Sequence, residues 1–481
     1  MRATFFGFEI AKSGMQAAQV GLDVTGQNMA NISTDGYSRQ EVRQSTASAG
    51  VTKAKTAENT RNLAGGGVSL DGIRQIRDNF LDIRYRSAAA DYGSLSKKVS
   101  VLSDVRAVLD ETQTNGLNSM MEELYASLQT LSSHAGDIEF SGIVRSAAQK
   151  ITKTLNQYST RLETIVQQET EDLDTSVSEI NQLLDKINQL NDTIKTETMR
   201  GGGTNELYDT RNAHLDRLAD LIGIQTEPHD DGTLTIRVGN TVLLDGQTAA
   251  ASTVSVVTDA DGSISLAYAS AEEAGEITVN SGIVAGSLDM LNGKGGYALS
   301  GENSFRGIAY YQQSIDDLAM ALKNTFNELN ALDGEEKPLF VGDDAKSLRI
   351  SDEWLADANF LTPSQTGSLA GEPDNILRMI CAMDQARTIS PTFTGTFEEF
   401  TLSLMLEAGT DLNFYQNLEN TSKLVKATVA NQRESIMGVS LNEETANLMR
   451  YQKAFEAAAR FMTTLDEALD VIINRMGVVG R

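Results

Sequence analysis

The 481-residue chain has one cysteine, five prolines and three histidines, and each scarcity closes off a class of function. A single thiol, Cys381, excludes an intrachain disulfide, a cysteine-rich metal site and a CxxC redox pair. His134, His214 and His229 leave little material for acid–base or metal chemistry, and structural or exposed roles fit all three. Basic charge is short as well: 40 Lys and Arg stand against 66 Asp and Glu, for a net charge of -26. That balance argues against nucleic acid or an anionic membrane as the main partner. No run of about 18 apolar residues suggests a membrane span. Glu9 and Lys12 break the N-terminal stretch before a secretory h-region can form. Taken alone, these absences give a cytoplasmic default.

Motifs of catalysis are missing too. No GxSxG, HExxH, Walker A or EF-hand pattern occurs. The glycine triplets 65–67 and 201–203 lack the Lys-Ser/Thr of a phosphate loop and read as turns. Asp259, Asp261 and Gly262 have the wrong spacing for a calcium loop and read as a hairpin turn. We expect no catalytic residue, no metal and no cofactor.

What the chain does have is helix-forming length. No proline falls in the first 227 residues, so long helices are permitted there. From about 140 to 198, Val144, Ala148, Ile151, Leu155, Tyr158, Leu162, Val166, Leu173, Ile180, Leu184, Ile187 and Ile194 follow helical spacing. A continuous helix over that span would be roughly 85 Å long. Residues 223–300 change character, with short alternating runs such as Thr233–Val238 and Ser263–Tyr268. Asp231-Gly232, Gly239-Asn240, Asp245-Gly246 and Asp261-Gly262 punctuate them as hairpin turns would. Residues 336–375 read as loops with a hairpin, and helix resumes near 396 with a break at Gly438.

Both ends carry heptad stripes. Phe8, Ala11, Met15, Ala18, Leu22, Thr25, Met29 and Ile32 repeat at intervals of three and four near the N-terminus. Leu448, Tyr451, Phe455, Ala458, Met462, Leu465, Leu469, Ile472 and Met476 do the same at the C-terminus, as the seam of a coiled coil does. A lone helix with one apolar face must bury it against something, and the simplest partners are the two ends themselves and copies of the chain. The ends are close to electrically neutral, so they can crowd together, while residues 45–440 carry nearly all the negative excess.

The expected fold is mainly α with an inserted small β domain, a long helical bundle whose terminal helices pair as a coiled coil. Residues 1–44 and 441–481 form the terminal assembly domain, 45–222 and 301–440 a helical rod domain, and 223–300 the inserted β domain, placed at the far end from the termini. A generic coiled-coil scaffold would explain the heptads alone, and an enzyme housed in the β insertion is a reading of another class.

The segment Asn28-Met29-Ala30-Asn31-Ile32-Ser33-Thr34-Asp35-Gly36-Tyr37-Ser38-Arg39-Gln40 lies at the end of the first stripe. Asn31, Ser33 and Thr34 can bond backbone groups as the helix ends, Gly36 can take positive φ, and Tyr37 can anchor the redirected strand. Its residues closely resemble the N-terminal signature of the bacterial flagellar rod, hook and hook-associated proteins. Gly65–Val68, Ile73-Arg74 and Phe80-Leu81 are similar to the stretch that comes after the signature in those proteins. Gly438-Val439-Ser440-Leu441-Asn442-Glu443-Glu444, leading into Asn447-Leu448, Tyr451-Gln452, Ala454-Phe455 and Ala457–Arg460, resembles the C-terminal signature of the hook-associated protein 1 family. That family usually has Asp where Asn442 stands. Asn28, Asn31, Thr34, Gly36, Tyr37, Ser38, Arg39, Glu443, Glu444 and Gln452 carry the resemblance.

The resemblance implies a non-enzymatic structural subunit of the flagellum at the hook–filament junction, exported without a cleaved signal peptide. It further implies as partners copies of the chain in a ring or tube, the hook protein, the second junction protein and an export chaperone at the C-terminal helix. The assembly interface would be Phe8, Met15, Leu22, Met29, Ile32, Leu448, Tyr451, Phe455, Met462, Leu465, Leu469, Ile472 and Met476. A hook or distal rod subunit shares the N-terminal signature, but the Glu443-Glu444 lead and the long helix favour the junction.

Overall fold

The computed structural model describes residues 6–47, 66–109, 116–248, 250–260, 262–270, 273–299, 303–332, 335–365 and 372–475. Helix α1 (Phe6–Ala30) runs without a break through the first heptad stripe. It stops where the Asn31 Nδ2 donates to the Gln27 carbonyl at 3.0 Å, and Gly36, at a φ of 79°, turns the chain into strand β1 (Gln40–Thr46). β1 pairs antiparallel with β2 (Val68–Gln75), Gln40 opposite Gln75, with a register shift between Arg43 and Gln44. Most of this hairpin is exposed, so no apolar alternation announces it in the sequence.

Helices α2 (Asn79–Leu109), α3 (Leu117–Ser133), α4 (Ile138–Arg200) and α5 (Asn205–Leu221) come after it. The 63 residues of α4 make a rod of about 95 Å. Val144, Ile151, Leu155, Leu162, Leu173, Ile180, Leu184 and Ile194 form its buried stripe. The helix ends on Gly201, which takes the left-handed conformation with φ of 71° and closes the last turn with backbone bonds to Glu197 and Thr198.

Two small antiparallel sheets come next: β3 (Gln225–Pro228), β4 (Leu234–Val238), β5 (Thr241–Asp245) and β6 (Ala250–Ala251) in one, β7 (Thr253–Thr258), β8 (Ile264–Ala269) and β9 (Ala274–Ile277) in the other. Gly232, Gly239 and Gly262 all adopt positive φ at the turns, as the Asp-Gly and Gly-Asn pairs suggested. These strands do not sit at the far end from the termini, contrary to the expectation. They lie on the C-terminal half of α4, where the Asn181 amide grips both backbone groups of Val254 at 2.8 Å and Asn191 donates to the Leu234 carbonyl at 3.0 Å. The reason is path length: α2 leads away from α1, and the long return of α4 brings the chain back before the strands begin. Helix α6 (Ile283–Asn292) closes this insertion and packs on α2, its Gly286 allowing the close approach to the Ser94 backbone.

Helix α7 (Ile308–Asn330) buries Ile308, Tyr311, Ile315, Leu318 and Leu322. Residues 336–375, expected as loops with a hairpin, do hold the hairpin β10 (Phe340–Val341) and β11 (Arg349–Ile350), but also the short helix α8 (Asp352–Ala356). There Trp354 is buried edge-on to Phe340, ring centroids 5.8 Å apart. After α9 (Asp374–Asp384) and the pair β12 (Arg387–Ser390) and β13 (Phe393–Gly395), helix α10 (Phe397–Met437) runs back along α2. A reciprocal capping box starts it: Thr396 Oγ1 accepts from the Glu399 amide and Glu399 Oε2 from the Thr396 amide. The break at Gly438 leads into α11 (Leu441–Asp470) and a π turn at Val471–Arg475.

Candidate assembly interface

α1 and α11 pack antiparallel, and glycine decides how closely. A Cβ on Gly7 would lie 2.9 Å from Leu465, one on Gly21 2.5 Å from Tyr451, and one on Gly14 3.8 Å from the Ala458 Cβ. Glycines seven residues apart on one helix thus face residues seven apart on the other, the periodicity of a paired seam. Each glycine in a helix costs roughly 0.5–1 kcal/mol against alanine. Gly7 and Gly21, where a Cβ would press on the partner side chain, make sense where the backbone must come close to α11, whereas at Gly14 a Cβ would find ordinary room. Ala11, Ala18 and Thr25, buried on the same face, complete the stripe.

One heptad beyond Gly21 the pattern turns polar. Asn28, 1% exposed, donates from Nδ2 to the Gln40 carbonyl at 2.9 Å and to Glu444 at 3.1 Å. Its Oδ1 accepts from the Tyr37 hydroxyl at 2.8 Å and the Gln40 amide at 2.9 Å. All four hydrogen-bonding positions of this amide are filled. Glu444, also 1% exposed and facing Asn28 just as Tyr451 faces Gly21, takes Nε and Nη2 of Arg39, both at 2.9 Å. Arg39 reaches Glu443 with Nη1, and its amide donates to the Met437 carbonyl at the end of α10. Five residues named from sequence, Asn28, Tyr37, Arg39, Glu443 and Glu444, therefore form one clasp. Such a polar layer fixes register, because a slip would strand a buried carboxylate.

The clasp is tied to the helical body through Ser38, which is fully buried. Ser38 Oγ donates to Asp209 at 2.7 Å and receives Arg77 at 3.1 Å. Arg77 in turn holds Asp82 at 2.6 Å, and Arg433 joins Asp82 at 3.5 Å and Asp216 at 2.6 Å. Burial raises Asp209 above the usual carboxylate range, with Ser38 and Arg77 opposing. Burial, with Asp209, Glu206 and Glu444 adding, pushes the Tyr37 phenol up to about 12.

Other named residues fall around this contact. Asn31 and Thr34 bond each other in the turn at 3.1 Å, and Gln452 points to solvent on α11. Leu448, Tyr451, Phe455, Met462, Leu465 and Leu469 are half-buried along α11, and Phe8, Met15, Leu22 and Met29 are half-buried along α1. Ile32, beyond the end of α1, is 44% exposed, and Ile472, in the π turn, is 49% exposed. Met476 lies outside the described residues. Sequence reasoning missed the glycines themselves, although their spacing at 7, 14 and 21 was there to be read.

Residues 102–337 match the family model described as Flagellar hook-associated protein FlgK helical domain. Residues 8–37 match Flagella basal body rod protein, and 431–476 match Flagellar basal body rod FlgEFG protein C-terminal. The last two segments are the ones that meet at the clasp. Flagellar hook-associated protein 1 of Bacillus subtilis is 27% identical over 514 residues, covering 100% of both chains. The protein of the same name from Escherichia coli is 24% identical, covering 96% of this chain and 98% of its own. The solved flagellar hook junction protein FlgK from Burkholderia pseudomallei aligns at a TM-score of 0.47 and 19% identity, over 54% of this chain and 46% of that one.

Proposed function

The chain belongs to the flagellar hook-associated protein 1 family, and from that premise we propose that it is a structural subunit joining hook to filament, assembled through its paired terminal helices. The observation that carries the mechanism is the clasped glycine seam. One face of each terminal helix is used within the chain, and several apolar side chains elsewhere on α11 remain exposed. On α11, Met449 is 56% and Phe461 46% exposed, and Ile473 in the π turn is 69% exposed. On α1, Phe8, Met15, Leu22 and Met29 are only half-buried. Covering such residues in a tube of copies would contribute on the order of 1–2 kcal/mol for each.

The partners on this reading are copies of the chain, the hook protein and the second junction protein. Before assembly an export chaperone would cover the α11 face. The route outward is export as an axial subunit, and no described helix is long and apolar enough to cross a membrane.

The test is addition of purified protein to isolated hooks lacking this subunit. Wild type should cap them and permit filament growth. Leu465→Asp, which puts a charge against Gly7, should keep the helical body folded by circular dichroism yet fail to cap. Normal capping by that variant would sink the seam mechanism.

A further inference from the structure

Beside the clasp, the end of β2, the start of α2, α5 and the β3–β4 hairpin enclose a cleft of about 500 Å³. Its lining includes four arginines, Arg74, Arg77, Arg86 and Arg211, against one acid, Asp82. In a chain of net charge -26 this lining carries an excess of cations. Most of its charges are spoken for. Arg77, Arg86 and Arg433 interlock with Asp82, Asp209 and Asp216, three cations against three anions.

Arg211 is the one left over. It is 6% exposed and has no carboxylate within ion-pair distance among the described residues. Nη1 donates to Asn191 Oδ1 at 2.8 Å and to the Gly232 carbonyl at 2.7 Å, both neutral acceptors. Nε is buried without a partner, and Nη2 meets no acceptor among the described residues. The Tyr208 ring, centroid 5.0 Å away, backs the guanidinium. Burial, with Arg86 nearby, pushes its pKa down to about 10, the mark of a cation short of a counter-ion. Arg74, at the mouth, is 58% exposed and paired among the described residues with Glu41 at 3.3 Å.

We propose that this cleft is an oxyanion site, with Arg211 as the buried donor at its floor and Arg74 as the exposed donor at its mouth. Nη2, a guanidinium nitrogen left without an acceptor among the described residues, can donate to an oxygen of a phosphate or a carboxylate. The oxyanion could be free in solution or be a carboxylate side chain on a neighbouring copy.

The test is calorimetric titration of the full chain at constant ionic strength, with inorganic phosphate in one arm and N-acetylglutamate α-methylamide, which carries the side-chain carboxylate alone, in the other. Wild type should give saturable binding in at least one arm. Arg211→Gln should abolish it, and Arg74→Ala should weaken it about tenfold, the scale of one charge-assisted contact. Preference for phosphate identifies a free oxyanion, and preference for the N-acetylglutamate α-methylamide identifies a protein carboxylate. Absence of binding in both arms overturns the site, as does undiminished binding by Arg211→Gln. Should Arg211→Gln fail to fold, Arg211→Lys and Arg74→Ala decide: unchanged affinity in both overturns the proposal.

Discussion

A Cβ added to Gly21 would lie 2.5 Å from the Tyr451 ring, closer than any real contact, whereas one added to Gly14 would touch the Ala458 methyl at 3.8 Å, an ordinary distance. Two glycines one heptad apart on the same face are thus under different constraint. Gly21→Ala should push the helices apart and destabilise their pairing by about 1–3 kcal/mol. Gly14→Ala should be neutral or stabilise by roughly 0.5–1 kcal/mol through helix propensity. Hydrogen exchange of the α1 amides measures both, and equal effects at the two sites would refute the close-approach argument.

Arg39 and Glu444 form the charged half of the clasp, and the carboxylate is almost wholly buried. Arg39→Ala would leave it unpaired at a cost on the order of 3–5 kcal/mol. Arg39→Ala combined with Glu444→Ala should recover part of that loss, since the stranded charge is gone. Chemical denaturation of the two variants, monitored at α11, gives the comparison.

Tyr37 makes the clasp sensitive to alkali. Its phenol is raised to about 12 by burial and by three carboxylates. A folded pKa above the unfolded value of about 10 means that the neutral group's contribution is fully present below pH 10 and is lost as pH rises through 12. The difference in alkaline absorbance between wild type and Tyr37→Phe should show one tyrosine titrating near 12. A difference curve centred near 10 would show that burial and the surrounding carboxylates do not hold the proton.

Much of the helical framework was legible because nothing interrupts it. The stripe from Val144 to Ile194 has no proline to break it, and the positive-φ glycines at 232, 239 and 262 stood beside Asp or Asn. The place of the strands was not legible, because it depends on where a 63-residue helix delivers the chain rather than on the strands themselves. The close contact of the seam was missed for a different reason. A search for apolar periodicity counts Phe8, Met15 and Leu22 and passes over Gly7, Gly14 and Gly21, whose part is to have no side chain. The acidic pair Glu443-Glu444 was singled out only by resemblance. Nothing in its local sequence says that Glu444 is buried on Asn28, 416 residues away.

That the two ends form one device in a single register is tested most directly by a cysteine pair. The Cβ separation of 3.8 Å at Gly14 and Ala458 suits a disulfide. In a Cys381→Ser background, Gly14→Cys with Ala458→Cys should oxidise within the monomer, while Gly14→Cys with Met462→Cys, a full turn away, should not. Equal yields for the two pairs, or cross-links only between chains, would contradict the register and the pairing of the ends.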